Sequence, residues 1–242
     1  LLNPSSSPHK INSPVIFLPG TLCDERIFNS CWQHLNIPKR AFVPLQWAQD
    51  LDQMRMLSAD RLDYFDEPVH LIGFSMGAYI AALTAIEHKS RVASLTLISS
   101  SCNALPGDVL AQRKQTLKLI RNKQFKGSSE KHLVKYFHEA NQNDNALKDV
   151  VKSMERDLGM GVLEAQLSAT EVRKNLVLQL ATCRFPIQFV VGEQDNLVKL
   201  TEIERAVASL QQAKVTIIKG AGHMLPLEQP INLAQKLVNF IA

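Results

Sequence analysis

Short apolar runs rich in Val, Ile, Leu and Phe recur along this chain, each separated from the next by a longer amphipathic stretch. Parallel strands buried on both faces read as continuous apolar runs and need helical crossovers between them, so the rhythm is that of successive β-α units. The runs predict strands at residues 15–18, 42–45, 69–73, 95–99, 187–192 and 215–219, and the intervals predict helices at 26–35, 50–64, 76–88 and 201–211. A last helix is expected from Pro226, with Ile231, Ala234, Val238 and Ile241 on one face,. The fold class that follows is α/β, a mostly parallel sheet flanked by helices.

The rhythm breaks once. About 85 residues separate the strand ending near Ser99 from the one starting at Ile187, too many for an unstructured loop,. Helical patterns at 109–122, 129–140, 146–158 and 162–180 make this stretch an inserted helical cap,. The expected division is a core of residues 1–100 and 185–242 and a cap of residues 101–184. Insertions over the carboxyl ends of parallel strands commonly cover sites.

With 45% hydrophobic residues, a chain of 242 residues can bury a core of enzyme size,. Its formal charge of +4 comes from 27 basic against 23 acidic residues, too even a mixture to imply a nucleic-acid partner,. Cys23, Cys31, Cys102 and Cys183 lie far apart with no C-x-x-C spacing, which reads as free thiols in a reducing, cytoplasmic setting,. Residues 1–13 are polar and rich in Ser and Pro, unlike a secretory signal,. No run approaches the roughly 18 apolar residues of a membrane span, so a soluble protein is expected.

The run VHLIGFSMGAYIAALTAI sets Gly73-Phe74-Ser75-Met76-Gly77 between an apolar strand and a helical pattern. A shuffled chain of this composition would show G-x-S-x-G roughly 0.03 times, and the strand-before, helix-after placement adds to its weight. A serine projecting from so sharp a turn needs glycines two residues to either side, because a Cβ there would strike the turn or adjoining backbone. Ala78, Ala81, Ala82 and Ala85 let the following helix approach closely.

A serine hydroxyl is a weak nucleophile and needs a base held by a carboxylate. Of seven histidines, His223 in KGAGHMLPLEQP sits just beyond the last strand, on a loop made flexible by Gly220 and Gly222. His70 falls inside a strand, His34, His88, His132 and His138 fall on helices, and His9 lies in the tail; solvent or packing accounts for each. The carboxylate is expected from FPIQFVVGEQDNLV, where Asp195 follows Gly192, with Glu193 as local competitor and Asp108 as the remote one. The chain order Ser, Asp, His differs from that of chymotrypsin-like and subtilisin-like enzymes. Attack on a carbonyl also requires two N–H donors for the oxyanion. Met76 N–H is one, and the loop after the first strand, VIFLPGTLCDERIF, offers Thr21 or Leu22, with Thr21 favoured. Leu22 and Tyr79 are candidates for substrate contact, and Cys23 reads as a packed thiol.

Together VIFLPGT, GFSMG, GEQD and GAGHMLPLEQP resemble the α/β-hydrolase superfamily, in its order and over nearly the whole chain. Many members carry His-Gly in the oxyanion loop, where this chain has Pro19-Gly20; the resemblance puts the donor at Thr21. Haloalkane dehalogenases and soluble epoxide hydrolases carry Asp at the nucleophile position, so Ser75 implies acyl chemistry. Menaquinone-pathway lyases place an arginine where this chain has Tyr79, and small carboxylesterases resembling the pimeloyl methyl ester hydrolase are nearer in size and layout. The cap resembles none of these.

In the cap, Arg113, Lys114, Lys118, Arg121, Lys123 and Lys126 occur between residues 109 and 126 without an acidic residue. They form either a solvated face or a dock for an acidic carrier or anionic substrate. Phe125, Tyr136, Phe137, Met154 and Met160 are either core or the lining of an acyl pocket. The expected activity is hydrolysis of a small to medium carboxylic ester or thioester through an acyl-enzyme, with no metal or organic cofactor. Carbon–carbon bond cleavage or a lyase step with the same residues is the alternative enzyme, and a non-catalytic ligand-binding protein is the alternative class.

Overall fold

The computed structural model describes residues 8–241. The Ser-rich part of the amino-terminal segment, up to residue 7, lies outside the described residues. The strands are β1 (His9–Lys10), β2 (Val15–Leu18), β3 (Leu35–Asn36), β4 (Arg40–Phe42), β5 (Val69–Phe74), β6 (Val92–Ile98), β7 (Ile187–Gly192) and β8 (Ala213–Ile218). Six of them form one sheet in the order β4-β2-β5-β6-β7-β8 with every neighbouring pair parallel, while β1 and β3 make a separate two-stranded ladder. The helices are α1 (Arg26–Trp32), α2 (Leu51–Asp63), α3 (Met76–Glu87), α4 (Gly107–Arg121), α5 (Glu130–Leu133), α6 (Asn145–Ala169), α7 (Val177–Leu180), α8 (Leu200–Val207), α9 (Leu225–Glu228) and α10 (Pro230–Ile241).

Side chains alternate across a strand, and here both faces are apolar. Along β2, Ile16 and Leu18 join a core that includes Ile80 of α3 and Ile203 of α8, while Val15 and Phe17 join another with Phe28 of α1 and Leu233 and Leu237 of α10. The sheet is therefore sandwiched between two helical layers. From β2 the chain steps outward to β4 and then returns to β5 on the other side. The carboxyl ends of β2 and β5 thus flank a topological switch point, the usual place for a site in such a sheet.

Several boundaries depart from the sequence pattern for physical reasons. The strand expected at 42–45 ends at Phe42, and Pro44, lacking an N–H for the ladder, leads into a 3-10 turn at Leu45–Trp47,. The terminal helix starts at Pro230, not Pro226, so Leu233, Ala234 and Leu237 face the core and Ile231 is exposed.

Between β6 and β7 the described chain holds only helices and turns. The patterns read as 146–158 and 162–180 are joined in α6 across a kink at Gly159, whose φ of 78° is left-handed,. The second pattern stops early, where Thr170 turns its hydroxyl back to the Gln166 carbonyl at 2.8 Å,. Residues 171–176 then run as an irregular link to α7. Leu117 of α4 packs on Leu163 and Leu167 of α6, with Leu22 from the loop after β2 against them, so these helices rest on the switch point. No helix is long and apolar enough to cross a membrane among the described residues.

Candidate active site

Ser75 stands between β5 and α3 with φ 52° and ψ −111°, a conformation a non-glycine residue holds only where its surroundings enforce it,. They do so through contact distances. A Cβ at Gly73 would lie 2.4 Å from Ala78 Cα and 2.4 Å from the Gly77 carbonyl oxygen, and one at Gly77 would lie 2.3 Å from the Pro19 carbonyl oxygen. The turn is thus pressed against both its own helix and the loop after β2. Ser75 N–H donates to the Ile98 carbonyl at 2.8 Å, fixing the turn to β6.

His223 follows β8 on a loop held by close packing and hydrogen bonds, in contrast to the flexibility expected from its glycines. A Cβ at Gly222 would lie 2.6 Å from His138 N, so glycine here permits close approach of two backbones. Glu228, buried on α9, accepts N–H groups from Gly222 at 2.8 Å and His138 at 2.7 Å and from the Asn141 side chain at 2.9 Å. Ser99 Oγ donates to the His223 carbonyl at 3.1 Å. Held in this way, His223 places Nε2 3.1 Å from Ser75 Oγ and Nδ1 3.0 Å from Asp195 Oδ2. A carboxylate only accepts, so Nδ1 carries the proton and Nε2 is left to accept from the serine hydroxyl.

Asp195 lies just after β7, its side chain 1% exposed. Its burial favours the neutral acid, but the His223 charge and hydrogen bond and the N–H groups of Val198 and Leu197 outweigh burial and hold the carboxyl below its usual range,. The competitors lie elsewhere: Glu193 accepts Gly220 N–H at 2.6 Å, and Asp108 sits in the first turn of α4. His70 is buried in β5 with Nδ1 2.7 Å from Ser94 Oγ. Of the remaining histidines, His132 lines the same cavity with Nε2 2.8 Å from the Tyr136 hydroxyl.

Two backbone N–H groups near Ser75 have no hydrogen-bond acceptor of their own among the described residues. Met76 begins α3, where the first N–H groups have no partner within the helix,. In the loop after β2, Leu22 N–H donates to Gln166 Oε1 at 2.7 Å, which leaves Thr21 N–H as the neighbour without an acceptor among the described residues. Leu22 itself has φ 54°, a second strained position beside the serine,. Cys23 is buried, and burial followed by the nearby Asp24 charge pushes its thiol up to about 12, far from a thiolate nucleophile,.

A cavity of about 520 Å³ opens over Ser75 and His223, between the strand ends and α4 and α6. Thr21, Leu22, Phe125 and Tyr136 line it, whereas Phe137 and Met154 are core residues and Met160 packs around Leu117. Tyr79 does not line it; its ring is buried one turn along α3, its hydroxyl accepting Lys174 N–H at 3.0 Å. The basic segment of α4 is not one face. Arg113 turns inward to Thr170 Oγ1 at 3.1 Å and lines the cavity, Arg121 pairs with Glu164 at 2.8 Å, and Lys114 lies 3.7 Å from Glu171.

The sequence pattern did not single out Gln166, Glu228, Ser99 or Arg173. For Arg113 a signal existed, because it lies four residues before Leu117 and so shares the inner face of α4,.

A family model described as alpha/beta hydrolase fold matches residues 50–230. Among curated proteins, the chain is 23% identical to Monoacylglycerol lipase abhd6-B of Xenopus laevis over 192 residues, covering 73% of this chain and 55% of that protein. It is 28% identical to Protein NDL3 of Arabidopsis thaliana over 234 residues, covering 86% of this chain and 65% of that one. The chain thus spans about half the length of the lipase relatives it matches. Among solved structures, a thermophilic esterase from Thermogutta terrifontis superposes with a TM-score of 0.82 at 17% identity, covering 96% of this chain and 90% of that one. A bromoperoxidase from Bacillus anthracis gives 0.77 at 14% identity, covering 96% and 93%. At such identities the two structures speak for the fold alone.

Proposed function

The chain belongs to the alpha/beta hydrolase fold family, and on that premise we propose that it hydrolyses a small to medium carboxylic ester or thioester through an acyl-enzyme on Ser75. The observation that carries this reading is the relay of Ser75 Oγ, His223 and Asp195 at 3.1 and 3.0 Å beneath a cavity. Similarity to proteins named monoacylglycerol lipases supports an ester as the substrate class.

In this reading His223 Nε2 takes the hydroxyl proton as Ser75 Oγ attacks the carbonyl carbon. The oxyanion sits between Thr21 N–H and Met76 N–H, and loss of one such donor typically costs about 3–4 kcal/mol of transition-state stabilisation. His223 returns the proton to the departing alcohol or thiol, then activates the water that releases the acid. Asp195 holds the imidazole in its required tautomer throughout. Residues 101–184 act as a cap that walls the cavity. Arg113 turns inward and Lys114 and Arg121 lie beside acids, while Lys118, Lys123 and Lys126 are exposed and would be what an acidic carrier meets; a small acyl ester or thioester is the proposed partner. The four buried free cysteines fit a reducing, cytoplasmic setting,.

The test is turnover of p-nitrophenyl acyl esters of graded length together with fluorophosphonate labelling of Ser75. Turnover and labelling, both lost in Ser75→Ala, are the expected results. Absence of both from the wild-type protein would overturn the reading in favour of carbon–carbon chemistry or simple ligand binding.

A further inference from the structure

On the wall of the cavity stands a cation without a counter-ion among the described residues. Arg173, on the link between α6 and α7, lines the cavity, yet its Nε and Nη2 are covered and have no hydrogen-bond partner among the described residues. Its guanidinium lies over the Tyr79 ring, 4.9 Å from the centroid, and Tyr79 is itself pinned by Lys174 N–H. The fork is therefore fixed in orientation. Arg113 approaches from α4 and spends only Nη1, on Thr170. No carboxylate pairs with either guanidinium among the described residues; of the two that line the cavity, Glu155 accepts Ser128 N–H at 2.7 Å, and Glu202 lies on α8.

Two arginines brought together with no acid between them are unfavourable in an empty protein, because a buried charge without a partner loses hydration and gains nothing in return. Burial first, then the Arg113 charge, lowers the Arg173 pKa to about 9. Such an arrangement is retained where a ligand brings the missing charge, and the planar fork of arginine matches a carboxylate bidentately. Tyr79 N–H donates to the Ser75 carbonyl at 3.3 Å, which sets Tyr79 one helical turn past the nucleophile, with the Arg173 guanidinium over its ring.

We propose that the ester taken by this cavity carries a carboxylate a few bonds from the scissile carbonyl, seated on Arg173 and Arg113. The inference rests on the ester-hydrolase reading and names the substrate class within it. Arg173 is then a specificity residue, and Tyr79 a positioning residue acting through it. Apolar Leu22, Leu163 and Leu167 on the cavity wall cover the short chain between the two ends.

The experiment compares kcat/KM for mono-p-nitrophenyl glutarate with that for p-nitrophenyl valerate, and for O-butyryl glycolate with ethyl butyrate, which places the carboxylate on the acyl or the leaving-group side respectively. In at least one pair the wild-type protein should prefer the carboxylate about a hundredfold, equivalent to about 2.7 kcal/mol. That ratio should collapse toward one in Arg173→Gln, remain largely in Arg173→Lys, and fall partly in Arg113→Gln, which serves should Arg173→Gln not fold. A wild-type ratio near one in both pairs, or a ratio unchanged by Arg173→Gln, overturns the carboxylate seat while Ser75 labelling leaves the ester reading standing. Calorimetry with glutarate gives a readout without turnover. Binding weakened at least tenfold in Arg173→Gln supports the seat even if no ester is cleaved, and no binding to the wild-type protein, with no ester preference, overturns it.

Discussion

Gln166, fully buried on α6, accepts the backbone N–H of Leu22 at 2.7 Å and so fastens the loop after β2 to the helices above it. The bond crosses 144 residues of sequence and sits one residue from the proposed oxyanion donor, Thr21. Replacing Gln166 by Leu keeps the volume and leaves Leu22 N–H buried and unpaired, at a cost of about 1–3 kcal/mol. Because the loop also aims Thr21, kcat should fall about tenfold or more while KM changes less. Denaturant unfolding alongside steady-state kinetics checks both effects; a variant with lowered stability and unchanged kcat would confine Gln166 to a structural role.

Ser75 holds a left-handed backbone conformation, φ 52°, that glycine adopts without strain,. Ser75→Ala should abolish turnover, by the order of 10⁶ where serine nucleophiles have been removed elsewhere, with little change in melting temperature. Ser75→Gly should be equally inactive yet more stable than Ser75→Ala by about 1 kcal/mol. Thermal unfolding of the two variants side by side decides it, and equal stability would show that the turn carries no strain worth relieving.

The legibility of this site in the sequence follows the range of the forces involved. The turn around Ser75 is local: Gly73, Gly77 and the flanking strand and helix are all within reach of one pattern, and the contacts at 2.3 and 2.4 Å show why no larger residue fits. Asp195 and His223 were reachable because chain order and strand ends restrict where partners of Ser75 can lie. Gln166, Arg173 and Glu228 were not, since contacts that place them come from remote parts of the chain, 144 residues away for Gln166 and Leu22 and 90 for Glu228 and His138. Arg113 was named only as one of a basic run; its place four residues before Leu117 on the inner face of α4 was the signal that sets it apart from the members that face out or pair with acids. At the carboxyl terminus Pro226 does fall in the first turn of a helix, the short α9, and a second helix starts at Pro230 with Leu233 and Leu237 against the core.

Asp195 gives a pH dependence whose sign is fixed by its environment. Its carboxyl titrates below its ordinary value in the folded protein, so the unfolded chain binds the proton more readily,. The stability it contributes is present above about pH 4, near the unfolded carboxylate value, and is lost as pH falls through the folded one. Asp195→Asn should therefore flatten the acid side of the stability profile, measured by denaturant unfolding between pH 7 and pH 2. Turnover should drop about 10⁴-fold, since an amide leaves His223 in the wrong tautomer. A profile as steep as that of the wild-type protein would place the acid-labile group elsewhere.

Glu228 connects the helical layer to His223 without touching the relay. Its carboxylate accepts from Gly222, His138 and Asn141, and His223 follows Gly222 directly. Burial raises its pKa despite those three donors, so the group is costly to ionise and is held for what it organises,. Glu228→Ala would leave buried donors unpaired and should destabilise the fold by about 2–4 kcal/mol. The loop would then lose its clamp against His138, and kcat/KM should fall more than tenfold with Ser75 still present. Glu228→Gln keeps one acceptor oxygen and should lie between the two. Fluorophosphonate labelling rates separate the causes: a folded Glu228→Gln protein that labels as fast as the wild type would show that the position of His223 does not depend on this clamp.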